Sequence, residues 1–375
     1  MKIGLVCPYN IANPGGVQEI VIALRKDLVA RGHQAVIITP RPRDSSGCDM
    51  EGIICLGNGV DLRSPLHTTP QISIGAETDE IDEMLRKEKF DILHFHEPWV
   101  PQISRQILRL STCVNIATFH AKVPETLMSR SVIRMVTPYT KSVLKYLHEL
   151  TAVSDAAAEY VRGLTDHTVK IIPNGIDLSE YRPATRSKSY AGVKKTILYI
   201  GRLEERKGLK YLFRAYKDLS EKHPGLSLKI VGDGLDREKL EALAARMELK
   251  NCEFKGRVTD KDKLKCLNDA DLFCSPAVFG ESFGIVLLEA MASGLVTVAG
   301  RNSGYSSVLK DLGAISLVDP KNTEEFVQRL ELLLYQEDLR RLWRTWGLKY
   351  VKQFDYKQVV DQYERVYVDA LSKKH

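Results

Sequence analysis

The 375-residue chain has no Cys-x-x-Cys pair among its seven cysteines, at positions 7, 48, 55, 113, 252, 266 and 274. Most of them sit in or beside apolar runs, which reads as buried free thiols in a reducing compartment and offers no zinc site. No apolar run approaches the ~18 residues that a membrane-spanning helix requires. The chain enters a strand directly at Lys2-Ile3-Gly4-Leu5-Val6, without the apolar core of a secretory signal. Lys/Arg-rich runs interleaved with aromatics are missing, so nucleic acid is not an expected partner. Gly-x-Gly-x-x-Gly and Gly-x4-Gly-Lys-Ser/Thr are missing as well, which argues against a dinucleotide dehydrogenase and a P-loop NTPase. A cytoplasmic protein is expected, with a peripheral contact at the inner face of the cell membrane left open.

What is present is ordinary in amount and informative in arrangement. Hydrophobic residues make up 44% and charged residues 27%, which is usual for a globular protein, and the length suffices for two domains with full cores. The net charge of +6 is uneven. Up to Glu180 there are 19 Lys+Arg against 21 Asp+Glu, and beyond it 35 against 27. A basic second half suits a phosphate-bearing ligand.

Strand-length apolar runs alternate with amphipathic stretches, the pattern of parallel α/β layers. The first half predicts strands at 3–7, 35–39, 53–56, 91–95, 115–119, 151–153 and 169–172. Helices are predicted at 17–30, closed by Arg31-Gly32, and at 77–89, where Ile81, Met84 and Leu85 form a stripe. Residues 124–149, basic and interrupted by Pro138, predict two helical pieces. Pro173-Asn174-Gly175 punctuates the chain, and the polar stretch Tyr181–Gly192 predicts a linker. The alternation then restarts, with strands at 196–200, 227–231, 253–255, 272–275, 296–299 and 314–318. Helices fall at 208–222, 236–248, 260–268, 284–292 and 323–335. A helical tail from Asp338 ends in a helix whose Tyr363, Val366, Tyr367 and Leu371 need a surface to bury them. The expected architecture is two Rossmann-like doubly wound α/β domains facing each other across a cleft. Their expected bounds are 1–180, completed by 356–373, and 181–355.

The chemistry concentrates in Phe279-Gly280-Glu281-Ser282-Phe283-Gly284-Ile285-Val286-Leu287-Leu288-Glu289-Ala290. Glu281 follows a strand and a turn; Glu289 lies two turns into the next helix. Free N–H groups at Ser282–Ile285 attract anions. A carboxylate at a helix start often only complements the macrodipole, but a helical glutamate among apolar neighbours needs a partner. Two acids of this kind suit the vicinal hydroxyls of a sugar or ribose. Arg202 and Lys207 bracket the loop Gly201–Gly208 after another strand, a pairing suited to phosphate groups or to solvated surface charge beside Glu204 and Glu205. Pro14-Gly15-Gly16-Val17 joins the first strand to the first helix, where glycine admits a ligand or merely makes a tight turn. His120 ends a strand at a ligand-binding sheet edge, although a lone histidine is usually structural. His94 and His96 share a strand face without a third metal ligand at useful spacing.

Together these stretches resemble the retaining family-4 glycosyltransferases of GT-B fold, over the whole chain. Within that family the phosphatidylinositol mannosyltransferases are similar through Val6-Cys7-Pro8-Tyr9, Pro14-Gly15-Gly16-Val17-Gln18, His94-Phe95-His96-Glu97-Pro98, Ala117-Thr118-Phe119-His120 and Gly280–Val286. The resemblance implies that the Gly16 amide beside Gly15, Arg202 and Lys207 hold a donor diphosphate. It implies Glu281 on the transferred sugar, with Ser282, Phe283 and Gly284 at the donor, and Glu289 on the ribose. Val258, Asp260 and Lys263 would contact the base, with Ile285 nearby. His120 would lie near the anomeric carbon as a polarising or positioning group, and Tyr9 and Asn13 would face the acceptor. No metal and no cofactor are implied beyond the nucleotide-sugar co-substrate, GDP-mannose or a UDP-sugar. Lobe closure over the donor is expected, hinged near 173–182 and 353–356.

The acceptor implied is a lipid or glycan, with phosphatidylinositol among the lipids. Two departures bear on it. Ala12-Asn13 stands where the phosphatidylinositol enzymes have an acidic residue. Residues 77–88 hold six acids against two bases where those enzymes carry a basic amphipathic helix for anionic lipid. Residues 122–145, with five bases and one acid, suit an interfacial segment or a solvated helix covering the sheet. Two other readings stay open: a UDP-sugar enzyme with a small soluble acceptor, such as an inositol phosphate or malate, and a non-catalytic subunit that binds nucleotide sugar.

Overall fold

The computed structural model describes residues 1–13, 15–42, 51–61, 71–73, 75–100, 103–122, 127–183 and 194–374. The chain forms two compact units, Met1–Gly175 with Tyr356–His375, and Ile176–Asp355. Most of the predicted linker stretch lies outside the described residues.

The first unit holds strands β1 (Lys2–Val6), β2 (Gln34–Arg41), β3 (Ile53–Asp61), β4 (Gln71–Ser73), β5 (Ile92–His96), β6 (Val114–Phe119), β7 (Glu149–Ala152) and β8 (Val169–Ile171). Its helices are α1 (Gly16–Ala30), α2 (Thr78–Glu88), α3 (Ile103–Leu110), α4 (Leu127–Leu144) and α5 (Asp155–Arg162). The second unit holds β9 (Lys195–Ile200), β10 (Leu226–Val231), β11 (Cys252–Gly256), β12 (Leu272–Ser275), β13 (Val296–Gly300) and β14 (Leu317–Val318). Its helices are α6 (Leu209–Lys222), α7 (Arg237–Arg246), α8 (Asp260–Asp269), α9 (Ile285–Ala292), α10 (Ser303–Val308), α11 (Thr323–Tyr335) and α12 (Glu337–Tyr350). The chain then returns to the first unit as α13 (Tyr356–Ser372).

The first sheet runs β4-β3-β2-β1-β5-β6-β7-β8, parallel except for the antiparallel edge pair β3–β4. The second runs β11-β10-β9-β12-β13-β14 and is parallel throughout. Strands covered on both faces read as near-continuous apolar runs, and β5, β6, β12 and β13 are buried at every position, polar residues included. In each sheet the chain leaves the first strand to one side and later returns to its other side, so β1/β5 and β9/β12 are switch points. There, loops at the carboxyl ends of adjacent strands diverge and leave room for ligand.

The face of α13 that needed a surface finds it in the first unit. Val360, Tyr363, Val366 and Tyr367 pack into the core made by Ile3, Leu5, Val21, Leu24 and Ile92. Each large apolar side chain so buried contributes about 1.5–3 kcal/mol. Arg31 pins the helix from outside through Asp361, Glu364 and the Lys357 carbonyl, while His33 Nε2 bonds Glu364 Oε1 at 2.6 Å.

Four expectations are corrected. Residues 127–144 form one helix, with Pro138 inside it. Thr137 Oγ1 donates to the Ile133 carbonyl at 2.7 Å and Thr140 Oγ1 to that of Val136 at 3.1 Å, local bonds of the kind that carry a helix past a proline. The strand expected at 314–318 is mostly a 3₁₀ turn, Asp311–Ser316, followed by the two residues of β14. The periodicity had not revealed β4, α3, α5 or α10, which are too short to show a repeat. Cys55 is disulfide-bonded, whereas Cys7, Cys113, Cys252, Cys266 and Cys274 are free. A disulfide needs only two cysteines brought within about 6 Å by the fold, not a motif.

Candidate active site

In the second unit, the loop after β9 and the loop after β12 are fastened to each other. Val278 N–H donates to the Arg206 carbonyl at 2.9 Å. Gly208 holds φ 74°, and a Cβ there would lie 2.1 Å from the Pro276 carbonyl oxygen, so only glycine permits the approach. The short 3₁₀ turn Glu205–Lys207 is thereby pressed against the residues leading to Glu281.

The side chains on these loops form a ladder of alternating charge. Arg202 Nη1 meets Glu204 Oε1 at 2.9 Å, and Arg206 Nε meets Glu204 Oε2 at 2.8 Å. Arg206 Nη1 and Lys207 Nζ both reach Glu281 Oε1 at 2.7 Å. Arg206 Nη1 also donates to the Gly280 carbonyl at 3.2 Å. Three bases against two acids leave one positive charge unmatched, and Arg202, with its side chain 52% exposed, is the rung open to solvent. Burial alone pushes the Glu281 carboxyl up, but Lys207 and Arg206 more than reverse this and hold it below the usual carboxylate range. The Arg206 guanidinium is disfavoured by burial too, and Glu281 and Glu204 more than restore it. Arg206 was not among the residues singled out from sequence, although it lies inside the quoted loop. Its signal, a third base two positions from Glu204, becomes readable only once the turn aims it at Glu281.

The expected helix N-terminus is that of α9, which starts at Ile285 behind Gly284 (φ 112°) and has no side-chain cap. Of the residues preceding it, Ser282 is half-buried, but the Phe283 side chain is buried edge-on against Phe354 with ring centroids 5.9 Å apart. Phe283 thus offers a ligand its backbone only. Glu289, in the second turn, is 8% exposed and finds the partners its burial demands. Its Oε1 accepts from Lys263 Nζ and from Tyr181 Oη, each at 3.0 Å. Lys263 also lies 3.5 Å from Asp260, whose side chain is exposed, and Val258 is half-buried just before α8. Nothing in the sequence around Tyr181 signals a site residue, because its reach to Glu289 depends on the fold.

In the first unit, the corresponding strand ends carry a buried imidazole cluster. His94 Nδ1 bonds Tyr367 Oη at 2.8 Å and its Nε2 bonds Thr118 Oγ1 at 2.6 Å. His96 Nδ1 bonds His120 Nε2 at 2.9 Å, with the rings stacked 5.1 Å apart. Glu97, 1% exposed and in left-handed backbone (φ 51°), accepts with Oε1 from the amides of His120 and Ala121. Its Oε2 meets no partner among the described residues. Burial lowers His94 and His120 to about 3 and holds His96 well below its ordinary value. Burial likewise raises Glu97 to about 8, against the pull of the two amides. Burial therefore favours the uncharged imidazoles and shifts Glu97 towards its protonated form, so His120 acts as a neutral hydrogen-bonding group and not as a cation.

Among the described residues, no side chain caps the turn before α1. Gly15 is the N-cap without a side-chain cap bond, and a Cβ at Gly16 would meet nothing within 4 Å. The Tyr9–Asn13 loop is shaped by Thr39 Oγ1, which donates to the Tyr9 carbonyl at 2.8 Å, and by Asn13 N–H, which donates to the Asn10 carbonyl at 3.2 Å. In α4, Thr140, Val143 and Leu144 face inward, as in a helix covering the sheet; the side chains of residues 123–132 and 135 lie outside the described residues. Among the described residues, no three His, Cys, Asp or Glu side chains converge as a metal site, and no helix is long and apolar enough to cross a membrane.

Two parallel sheets, a cation ladder at one switch point and uncapped glycine amides at the other define a class, and comparison with known proteins gives the same one. Residues 14–180 match the family model for Glycosyltransferase Family 4, and residues 182–349 match that for Glycosyl transferases group 1. The chain belongs to the family-4 glycosyltransferases of GT-B fold. It is 31% identical, over 98% of its length and 96% of the relative's, to the phosphatidyl-myo-inositol mannosyltransferase of Mycobacterium leprae. The protein of that name from Mycobacterium tuberculosis strain H37Rv is also 31% identical over 98% and 96%. Among solved structures, a sucrose-phosphate synthase from Thermosynechococcus elongatus superposes with a TM-score of 0.80 at 19% identity, covering 99% of each chain. Anabaena HepE in complex with UDP superposes with a TM-score of 0.78 at 17% identity, covering 98% of this chain and all of that one.

Proposed function

We propose that the protein is a retaining, metal-independent glycosyltransferase that moves mannose from GDP-mannose to a lipid-linked acceptor, phosphatidylinositol being the one the mycobacterial relatives' names suggest. The observation that carries the reading is the ladder from Arg202 to Lys207 closing on Glu281. It gathers cations where a leaving diphosphate would need them and a fixed carboxylate where sugar hydroxyls would sit. When the bond from the anomeric carbon to the β-phosphate oxygen breaks, its electron pair stays on that oxygen. Arg202 and Lys207 then stabilise the new charge, each at roughly 3 kcal/mol, as measured for single oxyanion donors. The acceptor oxygen bonds the anomeric carbon from the same face and gives its proton to the departing phosphate. His120, neutral, holds a sugar hydroxyl. The Gly16 amide is a further phosphate donor, Glu289 takes the ribose, and Val258, Asp260 and Lys263 take the base. Two side-chain cations do here the charge-neutralising work a metal ion does elsewhere, and no cofactor is required.

Transfer of radiolabelled mannose from GDP-mannose to phosphatidylinositol tests this directly. Lys207→Ala and Glu281→Gln are expected to lower kcat by about 10²–10³; unchanged transfer in either variant removes the assigned roles. One observation favours a second reading. Glu77, Asp79 and Glu83 are exposed on and beside α2, and an anionic membrane would repel them. A UDP-sugar with a small soluble acceptor fits that surface. Melting temperatures with GDP-mannose, UDP-glucose and UDP-N-acetylglucosamine separate the two, because a ligand that binds the native state raises the midpoint.

A further inference from the structure

The carboxylate of Glu289 is held from two directions by donors of unlike character. Lys263 is a long, partly exposed side chain whose ammonium is shared with Asp260 at 3.5 Å. Tyr181 is rigid and 9% exposed, with only two side-chain torsions to fix. Its backbone is set by the turn that precedes it. Asp177 Oδ1 accepts from Ser179 N–H at 3.0 Å, Leu178–Glu180 forms one 3₁₀ turn, and Tyr181 N–H donates to the Leu178 carbonyl at 3.3 Å. The start of the segment is anchored by Ile176, whose N–H donates to the Phe354 carbonyl at 2.9 Å. Tyr181 is thus the rigid support and Lys263 the adjustable one.

Both donors converge on the same oxygen, Oε1. A carboxylate oxygen accepts two hydrogen bonds comfortably, so among the described residues Oε1 is occupied and Oε2 is the atom left to receive a ligand hydroxyl. We infer that Tyr181 is a positioning residue that holds Glu289 by Oε1 so that Oε2 receives a ribose hydroxyl of the nucleotide. This rests on the reading that Glu289 takes the ribose. It adds a division of labour: a base that draws Lys263 away on binding leaves Tyr181 as the donor that keeps the carboxylate in place. The hydroxyl, not the ring, does this, because a phenyl group fills the same space without the bond.

Tyr181→Phe isolates the hydroxyl. Calorimetric titration with GDP and UDP, and with the 2′,3′-dideoxy form of each, is read against melting temperature as a check on folding. For whichever diphosphate binds tighter, the wild-type protein is expected to lose at least tenfold on removal of the ribose hydroxyls. Tyr181→Phe is expected to bind the ribonucleotide about tenfold more weakly, the loss of one hydrogen bond to a charged group. It should bind the dideoxynucleotide as the wild type does. In a Glu289→Gln background, Tyr181→Phe is expected to add less than twofold. If the wild type discriminates between the two nucleotides and Tyr181→Phe matches it, Tyr181 has no such role while the ribose reading stands. Equal weakening for both nucleotides makes Tyr181 merely structural and overturns the inference. If the wild type binds both forms alike, the ribose reading of Glu289 falls and the inference with it.

Discussion

The two units place their functional groups at the same topological position and treat charge in opposite ways. In the second, Glu281 lies among cations and stays ionised because Lys207 and Arg206 compensate its burial. In the first, burial favours the uncharged forms of His96, His120 and Glu97, and no ion pair to them is seen among the described residues. Pairing is therefore the means of keeping a buried charge, and isolation the means of removing one. A group that must meet diphosphate needs the first solution; one that must hydrogen-bond to a sugar without drawing counter-ions is served by the second.

After Lys207 and Glu281 themselves, the largest expected effect comes from breaking the ladder at its centre. Arg206→Ala leaves Glu204, 8% exposed, with Arg202 alone, and Glu281 with Lys207 alone. Loss of about 10²-fold in kcat is expected with nucleotide affinity largely kept, measured in the same transfer assay. A fall in affinity alone would make Arg206 a binding residue and weaken the contrast between the units.

Next in size is a difference in pH response. For the imidazoles the folded value lies below the ordinary 6.5, so unfolding takes up protons and stability falls as pH drops below about 6.5. Glu97 has the opposite sign. Its folded value, about 8, lies above 4.5, so stability falls as pH rises from 4.5 to 8. Each group contributes at most about 1.4 kcal/mol per pH unit within its window. Glu281 has a depressed value, so its contribution is lost only as pH falls below about 4.5. Glu97→Gln is expected to flatten the decline between pH 6.5 and 8, by about 2 kcal/mol in denaturant midpoints, and to leave the acid side unchanged. A wild-type midpoint that is level across that range would show Glu97 to be ionised.

Smallest is the surface contrast between α2 and α4. If α4 meets anionic lipid, replacing exposed Lys141 on it and Lys145 just after it by Ala should weaken sedimentation with acidic liposomes by about 1 kcal/mol per lysine. Binding that ignores the substitutions assigns the helix to covering the sheet.

Much of this was legible in the residues. Parallel strands buried on both faces announce themselves, and the bounds read for 272–275 and 323–335 match β12 and α11. The loops carrying Arg202, Lys207 and Glu281 were legible because strand, glycine and helix occur in order. What stayed hidden is what depends on direction. Tyr181 reaches Glu289 across 108 positions, and Glu97 clamps the His120 amide across 23. Neither separation leaves a periodic trace. Pro138 looks like a helix break in the sequence because the bonds of the threonine hydroxyls that flank it exist only in the folded helix.

The last helix has a consequence for synthesis. The hydrophobic interior of the first unit includes Val360, Tyr363 and Tyr367, residues made only after the whole second unit has been translated. The core of the first unit therefore cannot be completed in the usual order, in which N-terminal domains mature first on the ribosome. The middle of the chain can reach its native state while the beginning waits, incomplete, for the end to emerge.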